Sequence, residues 1–258
     1  MTLSRWVPQL LRARLAEAAV RRDAARAVES VDAAVLWLDI SGFTSLTRRL
    51  AEQGPRGAEL VSGVLDRCYG TLTDRIAAAG GDVIDFAGDG ILAIWPAREG
   101  TSLASAVDRA ARCARELQSA LDRSEVMEGV ELRLYAGLGA GTLALLDVGG
   151  AENRWRFLLA GDPLVQMGRA KAACAAGDVV LSPEATAIQR AATERVERPE
   201  AVHELADGGT ATPTADATDE TALRAYIADE VLRRVDAGQA AWLAEFRRAS
   251  IVFVVVPT

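Results

Sequence analysis

Leu36-Trp37-Leu38-Asp39-Ile40-Ser41-Gly42-Phe43-Thr44 decides the fold of this 258-residue chain. The run Ala33–Ile40 is nearly all apolar and reads as a strand buried on both faces. Ser41-Gly42-Phe43-Thr44 then makes a tight turn into a helix. Asp39 therefore ends a buried strand beside a glycine turn and a new helix N-terminus. A carboxylate there can hold a hard metal ion, and the free amides of the turn can hold phosphate oxygens. Taken alone, the stretch is equally an ordinary strand-to-helix turn with Ser41 or Thr44 as its cap.

The second informative stretch is Asp82-Val83-Ile84-Asp85-Phe86-Ala87-Gly88-Asp89-Gly90. With the apolar run Ile91–Trp95 it forms a hairpin signal, and Asp89 falls at the tip. A lone Asp-Gly turn means little. Two carboxylates, Asp39 and Asp89, with no basic partner in sequence are a different matter. Like charges repel, so the pair invites a divalent cation.

The rest of the chain extends this pattern. Residues 4–28 read as one or two Arg-studded amphipathic helices, with Pro8 near the start, where proline is tolerated. A helix over Arg56–Ala79 stops at Gly80-Gly81, and an alanine-rich helix spans Thr101–Leu121. Strands are expected at Glu131–Gly139, Leu143–Val148 and Trp155–Ala160, then a helix at Pro163–Ala175 and a strand at Asp178–Leu181. This order predicts an α+β fold of ferredoxin-like type (βαββαβ), its sheet covered by helices on one face. The expected division is an N-terminal helical segment at 1–28 that docks on the main domain, and that domain at 29–190. A polar linker at 191–222 and a helical tail at 223–258 follow. The tail closes on an apolar strand, Ile251–Val256.

The composition excludes several classes. The net charge is −7 with no basic stripe, so no nucleic-acid partner is expected. No apolar run approaches the roughly 20 residues of a membrane helix, and the N-terminus lacks a signal peptide's apolar core. The expectation is a cytoplasmic protein without a membrane partner. Cys68, Cys113 and Cys174 are scattered, which fits a reducing compartment rather than a disulfide framework. His203 is the sole histidine and lies in a polar stretch. P-loop and dinucleotide-binding glycine motifs are missing.

Asp-Ile-Ser-Gly-Phe-Thr at 39–44 and Phe-Ala-Gly-Asp-Gly at 86–90 resemble the two metal-site motifs of class III nucleotidyl cyclases. A third, looser match is the strand–turn–helix from Phe157 to Arg169. The resemblance covers about residues 30–190. It is closest to the first catalytic half of soluble, bicarbonate-responsive adenylyl cyclases. It implies that Asp39, Asp89 and the Ile40 carbonyl hold two magnesium (or manganese) ions. It also implies that the turn Ser41, Gly42, Phe43 and Thr44 grips the phosphates of ATP, or of GTP. The ribose 3′-hydroxyl would attack the α-phosphorus, and pyrophosphate would leave.

Class III sites form between two cyclase domains, and the departures from the pattern fall on one surface. At the purine-reading lysine position stands Asp85; at the second purine position, Leu158; at the transition-state Asn and Arg positions, Gln166 and Ala170. The metal surface is intact. The resemblance therefore implies a metal-supplying half that needs a second cyclase domain, in trans or as a homodimer. Arg169 resembles the arginine of the bicarbonate pocket in the degenerate site. With Asp85 and Gln166 it outlines a possible allosteric pocket, which an Asp85–Arg169 ion pair would close. Tyr135 stands where the family places a Lys or Arg that reaches the phosphates, with Arg133 and Lys171 nearby in sequence. The tail after Trp242 resembles the entry into a second cyclase domain. The alternative reading is a silent regulatory module that pairs with an active partner. A diguanylate cyclase is a weaker alternative: Gly80-Gly81-Asp82 is similar to that family's signature, but Val83-Ile84 is not.

Overall fold

The structure, a computed structural model, describes residues 3–21, 28–42, 55–98, 100–121, 132–197 and 219–238. Strands β1 (Glu29–Ser41), β2 (Asp82–Ala87), β3 (Gly90–Pro96), β4 (Arg133–Gly149), β5 (Trp155–Ala160) and β6 (Val179–Leu181) form one sheet. The spatial order is β2-β3-β1-β4-β5, with β6 beside β4. Helix α2 (Pro55–Ala78) links β1 to β2, and α3 (Leu103–Leu121) links β3 to β4. The expected βαββαβ succession is therefore present. β3 lies antiparallel between β1 and β2, and β1 antiparallel to β4.

Side chains alternate across β1, and both faces are buried. Ala34, Leu36, Leu38 and Ile40 face α2 and α3, together with Leu72, Ile76, Val107, Ala111, Ala114, Leu134 and Leu138. Ala33 and Val35 face the other way, into a smaller cluster with Leu143, Leu145, Met167 and Leu10. Helix α4 (Asp162–Ala172) covers this second face. The expectation of helices on one face is thus corrected. An apolar strand of both parities needs cover on both sides, and α4 supplies it. Gly137 and Gly139 make its approach close. A Cβ on Gly139 would lie 2.2 Å from the Pro163 carbonyl oxygen, and one on Gly137 would lie 2.4 Å from the Lys171 nitrogen.

Two strands expected at 131–139 and 143–148 are one. β1 pairs with β4 from Glu29↔Leu145 to Ser41↔Arg133 without a break. Gly141 carries the bend at φ +146, a conformation open to glycine, and Thr142 donates to Asp32 at 2.6 Å across the strands. Helix α5 (Pro183–Glu197) runs past residue 190, so residues 191–197 are helical rather than linker. The described residues around the start of the expected helical tail form two short helices, α6 (Glu220–Arg224) and α7 (Asp229–Asp236). Residues 198–218 and 239–258, with the closing strand, lie outside the described residues.

The N-terminal segment contributes to the second and third clusters. Helix α1 (Gln9–Arg21) begins just after Pro8, and the Asp82 carboxylate accepts from the Gln9 and Leu10 N–H groups at 2.9 and 2.7 Å. Asp82 thus caps a helix remote in sequence. Burial raises its pKa, and the two N–H groups oppose that. Leu3, Val7 and Leu11 join Leu223, Ile227 and Leu232 in a third cluster. The Arg154 guanidinium donates to the carbonyls of Arg224 and Ile227, and Trp155 N–H donates to the Ala225 carbonyl. The segment 219–238 is therefore fastened to β5.

Candidate active site

Asp39 sits near the end of β1 on the α4 face, 8% exposed. Its neighbour on β4 is Tyr135. On the other side Leu38 pairs with Ile91, so the next step along the strand brings Asp39 level with Gly90 and the hairpin tip. Asp89 is at that tip, half-buried, in a turn where Gly88 adopts φ +66. Gly90 has no room for a side chain: a Cβ would lie 2.3 Å from the Trp37 ring. The tip is thus seated on Trp37, one strand over from Asp39. Both carboxylates act on the same phenols. Tyr69 and Tyr135 are each pushed up to about 12, first by burial and then by the charges of Asp39 and Asp89. The sheet register therefore brings together the two acidic residues that the sequence singled out.

Asp39 is well partnered. Its Oδ2 accepts from the Tyr135 hydroxyl at 2.8 Å and pairs with Lys171 Nζ at 2.9 Å. Burial pushes its pKa up, but the Lys171 ammonium, the Tyr135 hydroxyl and the Ile40 N–H outweigh this and hold the carboxyl below its ordinary value. Asp39 is therefore ionised at neutral pH. Asp89 has no hydrogen bond or ion pair among the described residues. The pair offers hard anionic oxygens, one held and one free, which suits magnesium or manganese better than a soft metal. Among the described residues no cluster of three or more His, Cys, Asp or Glu forms.

Of the turn expected to meet phosphates, Ser41 and Gly42 are described, and Phe43 and Thr44 lie outside the described residues. The Ser41 hydroxyl donates to the Arg133 carbonyl at 3.1 Å, and Gly42 adopts φ +88. The residues of the outlined allosteric pocket are disposed differently. Gln166 is buried: its oxygen accepts from Ala140 N–H and the Ser182 hydroxyl, and its amide donates to Asp162 at 2.8 Å. Asp85 and Arg169 are both exposed, and the ion pair suggested between them does not form. Leu158 is an exposed apolar side chain, while Ala170 is one of the buried residues of α4.

Sequence reasoning named Lys171 only as a neighbour and left Trp37 without a role. The signal for Lys171 lay in helical spacing. It follows Met167 by four residues on the face of α4 that packs on the β4 glycines.

No family model matches the sequence. Over 158 residues the chain is 33% identical to adenylate cyclase type 10 of Rattus norvegicus, covering 60% of this chain and 10% of that protein. It is 32% identical to the Homo sapiens protein of the same name over 154 residues, covering 59% of this chain and 9% of that one. The chain thus spans about a tenth of the length of these relatives. Among solved structures it is similar to the guanylyl cyclase Cya2, with a TM-score of 0.50 and 26% identity, covering 63% of this chain and 80% of that one. The adenylyl cyclase CyaB from P. aeruginosa matches with a TM-score of 0.54 and 18% identity, covering 64% and 83%. The chain is homologous to part of adenylate cyclase type 10, and its fold is that of class III cyclase catalytic domains. Among the described residues, no helix is long and apolar enough to cross a membrane.

Proposed function

We propose that this chain, with its class III cyclase fold, is the metal-supplying half of a nucleotidyl cyclase that closes ATP to cyclic AMP and pyrophosphate. One observation carries the reading. Pairing of β1 with β3 sets the Asp39 carboxylate beside the hairpin tip that bears Asp89. Asp39, Asp89 and the Ile40 carbonyl would hold divalent cations. Such cations, when bound, acidify the ribose hydroxyl and neutralise the polyphosphate. The chain's own part is placement. β1 and the hairpin fix the two carboxylates, Trp37 holds the tip against the sheet, and Ser41 and Gly42 begin the turn that would meet the terminal phosphates. The 3′-oxygen then attacks the α-phosphorus in line, and pyrophosphate departs.

The complementary surface supports a half-site. Gln166 spends its amide inside the fold, Ala170 is buried, and Leu158 offers no hydrogen bond to a purine. A symmetric pair would lack groups for the base and for the transition-state charge. The relatives' name favours ATP, while the guanylyl cyclase among the solved structures keeps GTP as the alternative base.

A second reading, a silent pairing module, has one observation in its favour: Lys171 and Tyr135 both engage the same oxygen of Asp39. Complementation separates the two. The purified chain alone, with Mg-ATP or Mn-ATP, is expected to yield no cyclic nucleotide by mass spectrometry. Addition of a cyclase domain carrying the purine-reading lysine and the Asn/Arg pair is expected to bring turnover. A mixed complex that forms but never turns over would favour the pairing module.

A further inference from the structure

The position of Lys171 is dictated by glycine. A Cβ at Gly137 would lie 2.6 Å from the Met167 carbonyl oxygen and 2.8 Å from Lys171 Cα, so α4 rests directly on β4. Gly137 pairs with Trp37, and Tyr135 with Asp39. The lysine stem therefore starts over Trp37. Its ammonium lies 4.8 Å from that ring's centroid and 2.9 Å from Asp39 Oδ2. The same oxygen accepts the Tyr135 hydroxyl. Oδ2 thus carries two donors, one of them a full positive charge, at the carboxylate assigned to metal.

That arrangement opposes a divalent cation at Oδ2. Two donors leave the oxygen little lone-pair capacity, and an ammonium at ion-pair distance repels incoming positive charge. The Lys171 side chain is one-third exposed and flexible, so it can swing off Asp39. The substrate brings new anions into the same cleft in its phosphate oxygens. Resting on the metal-site reading above, we propose that Lys171 is a displaceable counter-ion. It neutralises Asp39 while the site is empty, and it moves to a polyphosphate oxygen of the nucleotide when Asp39 takes up metal. Metal alone competes with Lys171; metal together with triphosphate recruits it. The two affinities must therefore respond in opposite directions when the charge is removed.

The test is titration of the full chain with Mn2+ by electron paramagnetic resonance, with and without a non-cyclisable ATP analogue. Lys171→Met is expected to bind Mn2+ alone about fivefold more tightly, the equivalent of losing one competing ion pair. It is expected to bind the analogue with Mn2+ about tenfold more weakly, for want of a charge-assisted hydrogen bond. Lys171→Gln should repeat both shifts, and Lys171→Arg should keep the analogue affinity. Weaker Mn2+ binding in Lys171→Met would overturn the proposal, because Lys171 would then merely orient the carboxylate. Unchanged affinities for both would overturn it too. These outcomes differ from failure of the metal-site reading, in which the wild type, Lys171→Met and Asp89→Ala would all bind Mn2+ equally poorly.

Discussion

Asp89→Ala is expected to lower turnover of the complemented enzyme by about a hundredfold to a thousandfold, with little change in stability. The two halves of that expectation have separate causes. Asp89 stands at a half-buried turn, so its removal breaks no hydrogen bond or ion pair among the described residues. Substitutions at such positions stay within about 0.5 kcal/mol. The chemistry, by contrast, loses a carboxylate proposed to hold a metal ion, a loss of about 3–4 kcal/mol of transition-state stabilisation. Asp39→Ala should be as damaging to turnover, but it also leaves Tyr135 and Lys171 without their shared acceptor. Asp89 is therefore the cleaner probe. Cyclic nucleotide by mass spectrometry, beside thermal unfolding of the same samples, reads both quantities. Retained turnover would remove Asp89 from the site.

Gly139→Val is expected to be the most damaging single change to the fold, costing about 3 kcal/mol or more. The added Cβ would lie 2.2 Å from the Pro163 carbonyl oxygen and 2.8 Å from the Met167 nitrogen. Both are backbone atoms of a helix and cannot rotate away as a side-chain tip can. Either α4 lifts from the sheet or β4 bends, and the cluster of Val35, Leu143, Leu145 and Met167 opens to water. Lys171 would lift with the helix. Gly168→Ala is the control. It lies on the same helix with nothing within 4 Å of an added Cβ. That change should be neutral or raise stability by up to about 1 kcal/mol through helix propensity. Urea unfolding of the two variants gives the comparison, and a Gly139→Val as stable as wild type would show that α4 does not seat on β4.

These cases show what could be read from the sequence. β1 was legible because its apolar run stops at an acidic residue and a glycine turn, and the hairpin because Gly88-Asp89-Gly90 sits between two apolar runs. Those local signals fixed where Asp39 and Asp89 lie on their strands, and the register then put the strands side by side. The continuity of β4 was hidden, since Ala140-Gly141-Thr142 looks like a break. Only pairing along the full length of β1 keeps the strand whole through Gly141. Helix α5 beyond residue 190 was hidden too: its residues after Ile188 are small and polar, and composition alone resembles a linker. Lys171 was the chief omission at the site. A lysine on a helix is ordinarily a solvated side chain, and only close seating of that helix on glycines, sequence-distant by thirty residues or so, turns it toward Asp39.

The most direct measurement is anomalous diffraction from crystals of the chain grown with Mn2+ and a non-cyclisable ATP analogue. Manganese peaks about 2.0–2.3 Å from carboxylate oxygens of both Asp39 and Asp89, with the triphosphate against them, are the predicted result. Bound nucleotide with manganese elsewhere, or with Lys171 still on Asp39 and no peak at either carboxylate, would contradict the assignment of this chain as the metal-supplying half.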